Sequence, residues 1–145
     1  MPRTTELAIV GGGPAGLSAA AEAARAGVSS LVLDENTSLG GQIFRQPLLG
    51  SKNIEEKKLG KELVEGKRVI EQLAEFKDKI DVWTGSLVWG YFNDNRLAVM
   101  RNGHLDLVKA DQIVVATGAY DRPVPFPGWT LPGVFTAGCA QVMVK

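Results

Sequence analysis

Leu7-Ala8-Ile9-Val10-Gly11-Gly12-Gly13-Pro14-Ala15-Gly16 is the stretch that decides the fold of this 145-residue chain. Four consecutive apolar residues ended by glycine carry the pattern of a strand buried on both faces. The alanine-rich run from Leu17 to Ala26 reads as a helix, with Gly27 placed to end it. Ser30-Leu31-Val32-Leu33 is a second buried strand, closed by Asp34 and Glu35. Strand, helix and strand joined by a crossover of this length predict a parallel β-α-β unit.

Between the first strand and the helix, Gly11, Gly13 and Gly16 fit the spacing G-x-G-x-x-G. The spacing alone is common; directly after a strand and directly before a helix it is a dinucleotide-binding pattern. Gly11 permits the tight turn. Gly13 lets a pyrophosphate approach the backbone, and Gly16 lets the helix pack close to the strand. Pro14 and Ala15 complete the loop, and the helix start offers unpaired N–H groups and a partial positive charge to phosphates. Asp34, at the end of the second strand, is the expected acceptor for the hydroxyls of an adenosine ribose, and its charge argues against a 2′-phosphate. Glu35 is the alternative ligand. Motif mechanics do not separate FAD from NAD.

Outward from this unit, residues 36–53 read as a loop containing Gly40, Gly41, Pro47 and Gly50. Residues 55–78 read as an amphipathic surface helix with Leu59, Leu63, Ile70, Leu73 and Phe76 on its apolar side, weakened by Gly60 and Gly66. The stretches 81–92, 97–101 and 104–109, separated by Asn93-Asp94-Asn95 and Asn102-Gly103, predict a three-stranded antiparallel meander. Ile113-Val114-Val115-Ala116 is read as a further short buried strand, and a Pro/Gly-rich extended segment follows from Gly118.

Composition narrows the function classes. Lys plus Arg is 16 and Asp plus Glu is 16, so a net charge of zero gives no electrostatic case for nucleic acid or an acidic membrane surface. The single cysteine excludes an internal disulfide framework and a cysteine-built metal cage. The uncharged stretches 7–21 and 124–144 are interrupted by glycines and prolines, which argues against an export signal or a membrane span and for a cytoplasmic protein. Nothing in the sequence resembles a Ser-His-Asp set, a metal cluster or paired acid–base carboxylates. No catalytic residue is assigned.

Three further pieces, in order, resemble the two-dinucleotide-binding flavoproteins, the pyridine nucleotide-disulfide oxidoreductase-like superfamily. They are Leu39-Gly40-Gly41-Gln42, the meander, and Ile113-Val114-Val115-Ala116-Thr117-Gly118. The resemblance implies FAD as cofactor, with Gly41, Gln42, Thr117 and Gly118 passing its flavin side. Residues 40–45 and 117–134, with Thr136, Gly138 and Gln141, are similar to one branch. It comprises the FAD subunits of opine oxidases, hydrogen cyanide synthase, heteromeric sarcosine oxidase and proline or hydroxyproline dehydrogenases. That branch implies oxidation of a C–N bond in an amino or imino acid.

Two departures matter. The Cys-x-x-Cys of thioredoxin reductases is missing; Cys139 alone cannot form a redox disulfide and is expected as a small buried residue. Members of the branch are also much longer. They carry a second nucleotide-binding domain and a further FAD-domain strand, so this chain is expected to need a partner subunit or to be a fragment.

The expectation is therefore an α/β, Rossmann-like parallel sheet with an inserted meander, incomplete relative to the family. Residues 1–118 would form the FAD-binding domain (meander about 80–110), and 119–145 an extended linker. His104 is expected at a hairpin tip without a catalytic role. Trp83, Trp89 and Trp129 are expected as packing residues, with Trp129 near the flavin as the functional alternative. Arg45 is expected as a solvated loop residue, with a phosphate or substrate carboxylate as its alternative partner. The competing functional readings are a non-catalytic module and an NAD-binding domain.

Overall fold

The computed structural model describes residues 2–44 and 61–144. It contains β1 (Arg3–Val10), α1 (Pro14–Arg25), β2 (Ser30–Leu33), α2 (Lys61–Leu73), β3 (Ile80–Trp83), β4 (Ser86–Phe92), β5 (Arg96–Arg101), β6 (His104–Val115) and α3 (Ala137–Val144). The strands form one sheet in the order β3-β2-β1-β6-β5-β4. β1 pairs in parallel with β2 and β6, and β2 in parallel with β3. The pairs β4–β5 and β5–β6 are antiparallel.

Alternation along the strands assigns the two faces of the parallel portion. Ile9, Val32 and Ile80 point to the side where Leu17, Ala20 and Ala24 of α1 and Leu73 of α2 pack. Ala8, Leu31 and Leu33 point the other way and join Leu97, Val99 and Val108 of the meander. The parallel strands therefore lie between helices and meander, which is why β2 is buried at all four residues. Each such aliphatic side chain contributes roughly 1.5–3 kcal/mol on burial. α1 ends in a Schellman motif. Val28 N–H donates to Ala23 O and Gly27 N–H to Ala24 O, both at 2.9 Å, with Gly27 at φ +83°.

Several boundaries differ from the sequence reading. Ile113–Val115 is not a separate buried strand. It is the end of β6, which runs unbroken for 12 residues because nothing between Lys109 and Ile113 breaks an extended chain. β6 belongs to both halves: His104–Lys109 pairs with β5, and Arg3–Val10 pairs along Val108–Val115. Beyond Lys109 its other edge has no strand partner among the described residues, and Val115 is 73% exposed. The stretch read as the first meander strand is split by Thr84 and Gly85. Its first part, β3, extends the parallel sheet, and the meander begins at Ser86.

The helix read over 55–78 is α2 plus a 3-10 turn at Ala74–Phe76, with Val69, Ile70, Leu73 and Phe76 against the helix-side core. Leu59, Gly60 and the remainder of that reading before Lys61 lie outside the described residues. The segment after Gly118 carries no helix or strand as far as Phe126, then has turns and ends in α3, which the sequence pattern does not announce.

Trp83 packs against the meander-side core, but Trp89 and Trp129 are 56% and 43% exposed, so packing does not account for them. Cys139 is exposed rather than buried, because α3 stands on the surface. No helix among the described residues is long and apolar enough to cross a membrane.

Candidate functional site

The carboxyl ends of β1, β2 and β6 converge where the sheet order changes direction, the position at which open α/β sheets bind ligands. A groove of about 480 Å³ lies there. Its walls include Gly11, Gly13, Pro14 and Ala15 from the glycine loop, Asp34 and Glu35 after β2, Gly41 and Gln42 from the second glycine pair, and Thr117 and Gly118 after β6. The structure thus brings the sequence-selected residues to one cleft, with Gly16 buried beneath it. Arg45 lies outside the described residues. Trp129 is not among the residues lining the groove, and His104 sits exposed at the Asn102-Gly103 hairpin turn.

The glycine loop is shaped by what its residues lack. A Cβ on Gly16 would stand 1.8 Å from the Gly11 carbonyl oxygen, and one on Gly11 would stand 2.2 Å from that of Ala116. Gly11 also has φ +110°, a region side chains avoid. The close approach of Gly11 to Ala116 joins the first strand's turn to the Ala116-Thr117-Gly118 segment, and the Ala116 N–H donates to Val10 O at 2.8 Å. Gly13 is different: a Cβ there would meet only Gly41 Cα, at 3.8 Å. The space above Gly13 belongs to the groove, not to the protein's packing.

Gly13 is the N-cap of α1 and Pro14 its first residue. No side chain caps the helix and no acid occupies its first turn. Pro14 has no N–H to leave unpaired, so the amides of Ala15 and Gly16 start the helix with no side-chain cap and no acid in the first turn.

Asp34 is 5% exposed, and both its oxygens are engaged. Oδ2 accepts the N–H of Gly12. Oδ1 accepts the N–H of Asn36 at 2.7 Å and its Nδ2 at 3.0 Å. Glu35, by contrast, is exposed on the groove wall, where the Tyr120 hydroxyl donates to its Oε1. That bond with Glu35, followed by burial, holds the Tyr120 phenol above its ordinary pKa. Across the groove Gln42 Nε2 donates to Ala119 O at 3.0 Å.

Two contributions escape a reading of the sequence. Gly12 occupies a motif position open to any residue, yet a Cβ there would meet Leu39 Cδ2 at 2.5 Å and Asp34 Oδ2 at 2.8 Å. The signal is that Gly12 is the middle of three consecutive glycines. Tyr120 and the Ser86–Val88 end of β4 also line the groove; no spacing rule points to them.

A wider depression of about 800 Å³ lies at the amino ends of β1, β2 and β3, between Arg3, Glu6, Ser29, Lys79 and Asp81. It offers no helix start and no glycine loop, and it lies at the end of the strands opposite to where such sheets bind ligands. Among the described residues no cluster of His, Cys, Asp or Glu is suited to a metal ion.

The family model described as pyridine nucleotide-disulphide oxidoreductase matches residues 5–142. An opine oxidase subunit of Rhizobium meliloti is 43% identical over 148 residues, which cover 97% of this chain and 28% of that one. Hydrogen cyanide synthase subunit HcnB of Pseudomonas protegens is 37% identical over 138 residues, covering 94% of this chain and 29% of that one. Among solved structures, L-proline dehydrogenase from P. horikoshii superposes with a TM-score of 0.64 at 24% identity, over 85% of this chain and 24% of that one; this is a likeness of fold. The chain spans less than a third of the length of these curated relatives.

Proposed function

Because the chain belongs to the pyridine nucleotide-disulphide oxidoreductase family, we propose that its groove binds FAD as part of a flavin-dependent oxidoreductase. The observation that carries this reading is the uncapped start of α1 beneath the open space at Gly13. Backbone amides and a helix dipole with no acid in the first turn form an anion site for the pyrophosphate. Glu35, exposed on the groove wall, takes the hydroxyls of the adenosine ribose and disfavours a 2′-phosphate. Asp34 holds the loop through Gly12 and Asn36 and lines the same groove, where its remaining lone pairs can also accept from ribose. Gly41, Gln42, Thr117 and Gly118 line the remaining length of the groove for the flavin side.

Bound FAD supplies a two-electron acceptor for oxidising a C–N bond in an amino acid, an imino acid or an opine. That substrate class is supported by relatives named opine oxidase and hydrogen cyanide synthase. The chain's own part is to bind and orient; none of its residues is assigned a proton transfer. A partner subunit is proposed from two facts. These relatives are named as subunits. Leu87, Met100, Leu105 and Leu107 also leave an apolar outer face on the meander, each at least 40% exposed. The cytoplasm is the proposed compartment, from the composition and the lack of a membrane-crossing helix among the described residues.

The test is to purify the chain and titrate it with FAD and with NADH. A yellow protein, or saturable quenching of FAD fluorescence, supports the reading. Tight NADH binding without FAD binding replaces it with a nicotinamide site. Binding of neither dinucleotide, alone or with a co-expressed partner, leaves a non-catalytic module.

A further inference from the structure

The asparagines among the described residues differ in what holds their side-chain amides. Asn36 donates its Nδ2 to Asp34 Oδ1. Asn95 accepts from the Tyr91 hydroxyl and donates to Asp111 O. Asn93 is followed by Asp94, whose side chain crowds the adjoining backbone nitrogen. Asn102 differs from all three. It is exposed, its amide has no hydrogen-bond partner among the described residues, and Gly103 follows it. A Cβ on Gly103 would meet nothing within 4 Å, so no packed group shields the turn.

We propose that Asn102 is a modification site: it deamidates spontaneously through a cyclic imide. The Gly103 nitrogen gives up its proton and attacks Asn102 Cγ. The N–Cγ bond forms, the Cγ–Nδ2 bond breaks, and ammonia leaves with the proton. Water then opens the ring at either carbonyl, giving aspartate or isoaspartate. Consecutive positive φ angles, +50° at Asn102 and +75° at Gly103, restrain the rotation that brings the reacting atoms together. Closure therefore proceeds through local opening of the hairpin tip, which is exposed from Asn102 to Leu105 and opens at low cost.

Isoaspartate runs the chain through its side-chain carbon and so lengthens the backbone at the turn. A two-residue turn sets the register of its hairpin, so the Arg101–His104 pairing beside it is loosened. Arg101 also pairs with Ser86, at the groove-lining end of β4. None of this depends on what the groove binds.

The experiment incubates the wild-type chain and Asn102→Asp at body temperature in neutral and in mildly alkaline buffer. Ammonia release, peptide mass mapping and methyl labelling by an isoaspartyl methyltransferase are followed over weeks. The expected result is loss of the Asn102 amide, with isoaspartate in its place, at a rate that rises with hydroxide. Asn36, Asn93 and Asn95 should stay intact, and the ammonia should be missing from Asn102→Asp. The isoaspartate form, isolated by ion exchange, should melt below the wild type. Asn102→Asp should melt with the wild type, because Asp tolerates the left-handed turn. An Asn102 that stays intact in the native chain overturns the inference; conversion in urea alone would then show that the folded turn shields it. Faster amide loss at Asn36, Asn93 or Asn95 overturns it as well. An isoaspartate form with the wild-type melting temperature removes the loosening of the hairpin.

Discussion

The N–H of Gly12 donates to Oδ2 of the buried Asp34, so the carboxylate that ends β2 holds the loop that ends β1. The same carboxylate fixes the next turn through Asn36. Asp34, the acid expected at a ribose, also holds the loop, and its exposed neighbour Glu35 lines the same groove. Asp34→Asn keeps the shape but sets an amide N–H against a backbone N–H. It should lower stability by about 1–3 kcal/mol. Glu35→Gln should leave stability within about 0.5 kcal/mol of wild type and weaken ADP binding by about tenfold. Urea denaturation and calorimetry separate the two.

Two glycines of one motif should fail in opposite ways. Gly16→Ala drives a Cβ into the Gly11 carbonyl and should cost about 3 kcal/mol or more, a large share of a domain's roughly 5–15 kcal/mol. Gly13 has an extended backbone, φ −79° and ψ −176°, and room for a methyl. Gly13→Ala should therefore fold with stability unchanged or raised by about 0.4–1 kcal/mol, yet lose dinucleotide affinity by about tenfold or more. Thermal melts and FAD fluorescence quenching check both. A destabilised Gly13→Ala would show that the space above it serves packing.

The β-α-β unit is legible in the sequence because the patterns that name it are local: the apolar runs at 7–10 and 30–33, the glycines between them and Gly27 at the helix end. The meander's turns are legible for the same reason, with Asn102 and Gly103 both at positive φ as a tight hairpin turn requires. What is not legible depends on partners distant in sequence. Asp111 and Gln112 look like the end of a strand until β1 is seen pairing along Val108–Val115. Which of Asp34 and Glu35 holds the glycine loop depends on which carboxylate the Gly12 amide reaches. Adjacent acids at a strand end look alike in sequence.

Asp121 anchors the start of α3. Its carboxylate takes hydrogen bonds from the Thr136 side chain and from the Gly138 N–H, the latter at 2.8 Å, and these hold its pKa below the ordinary value. A lowered folded-state pKa stabilises above the unfolded value, about 3.9 for Asp, and that contribution is lost as pH falls through the folded value. The Gly138 amide resonance should shift with a midpoint below pH ~3.9, and Asp121→Asn should abolish that transition. A midpoint at or above the ordinary value contradicts the anchor.

The most direct test of the central claim is an amide-resolved NMR titration of the chain with FAD, following the backbone N–H groups at both ends of the sheet. A dinucleotide held at the start of α1 should shift Gly12, Gly13, Ala15, Gly16 and Gly41, and leave Thr4, Ser29 and Lys79 in place. Shifts confined to the latter set, or none at saturating FAD, would contradict it.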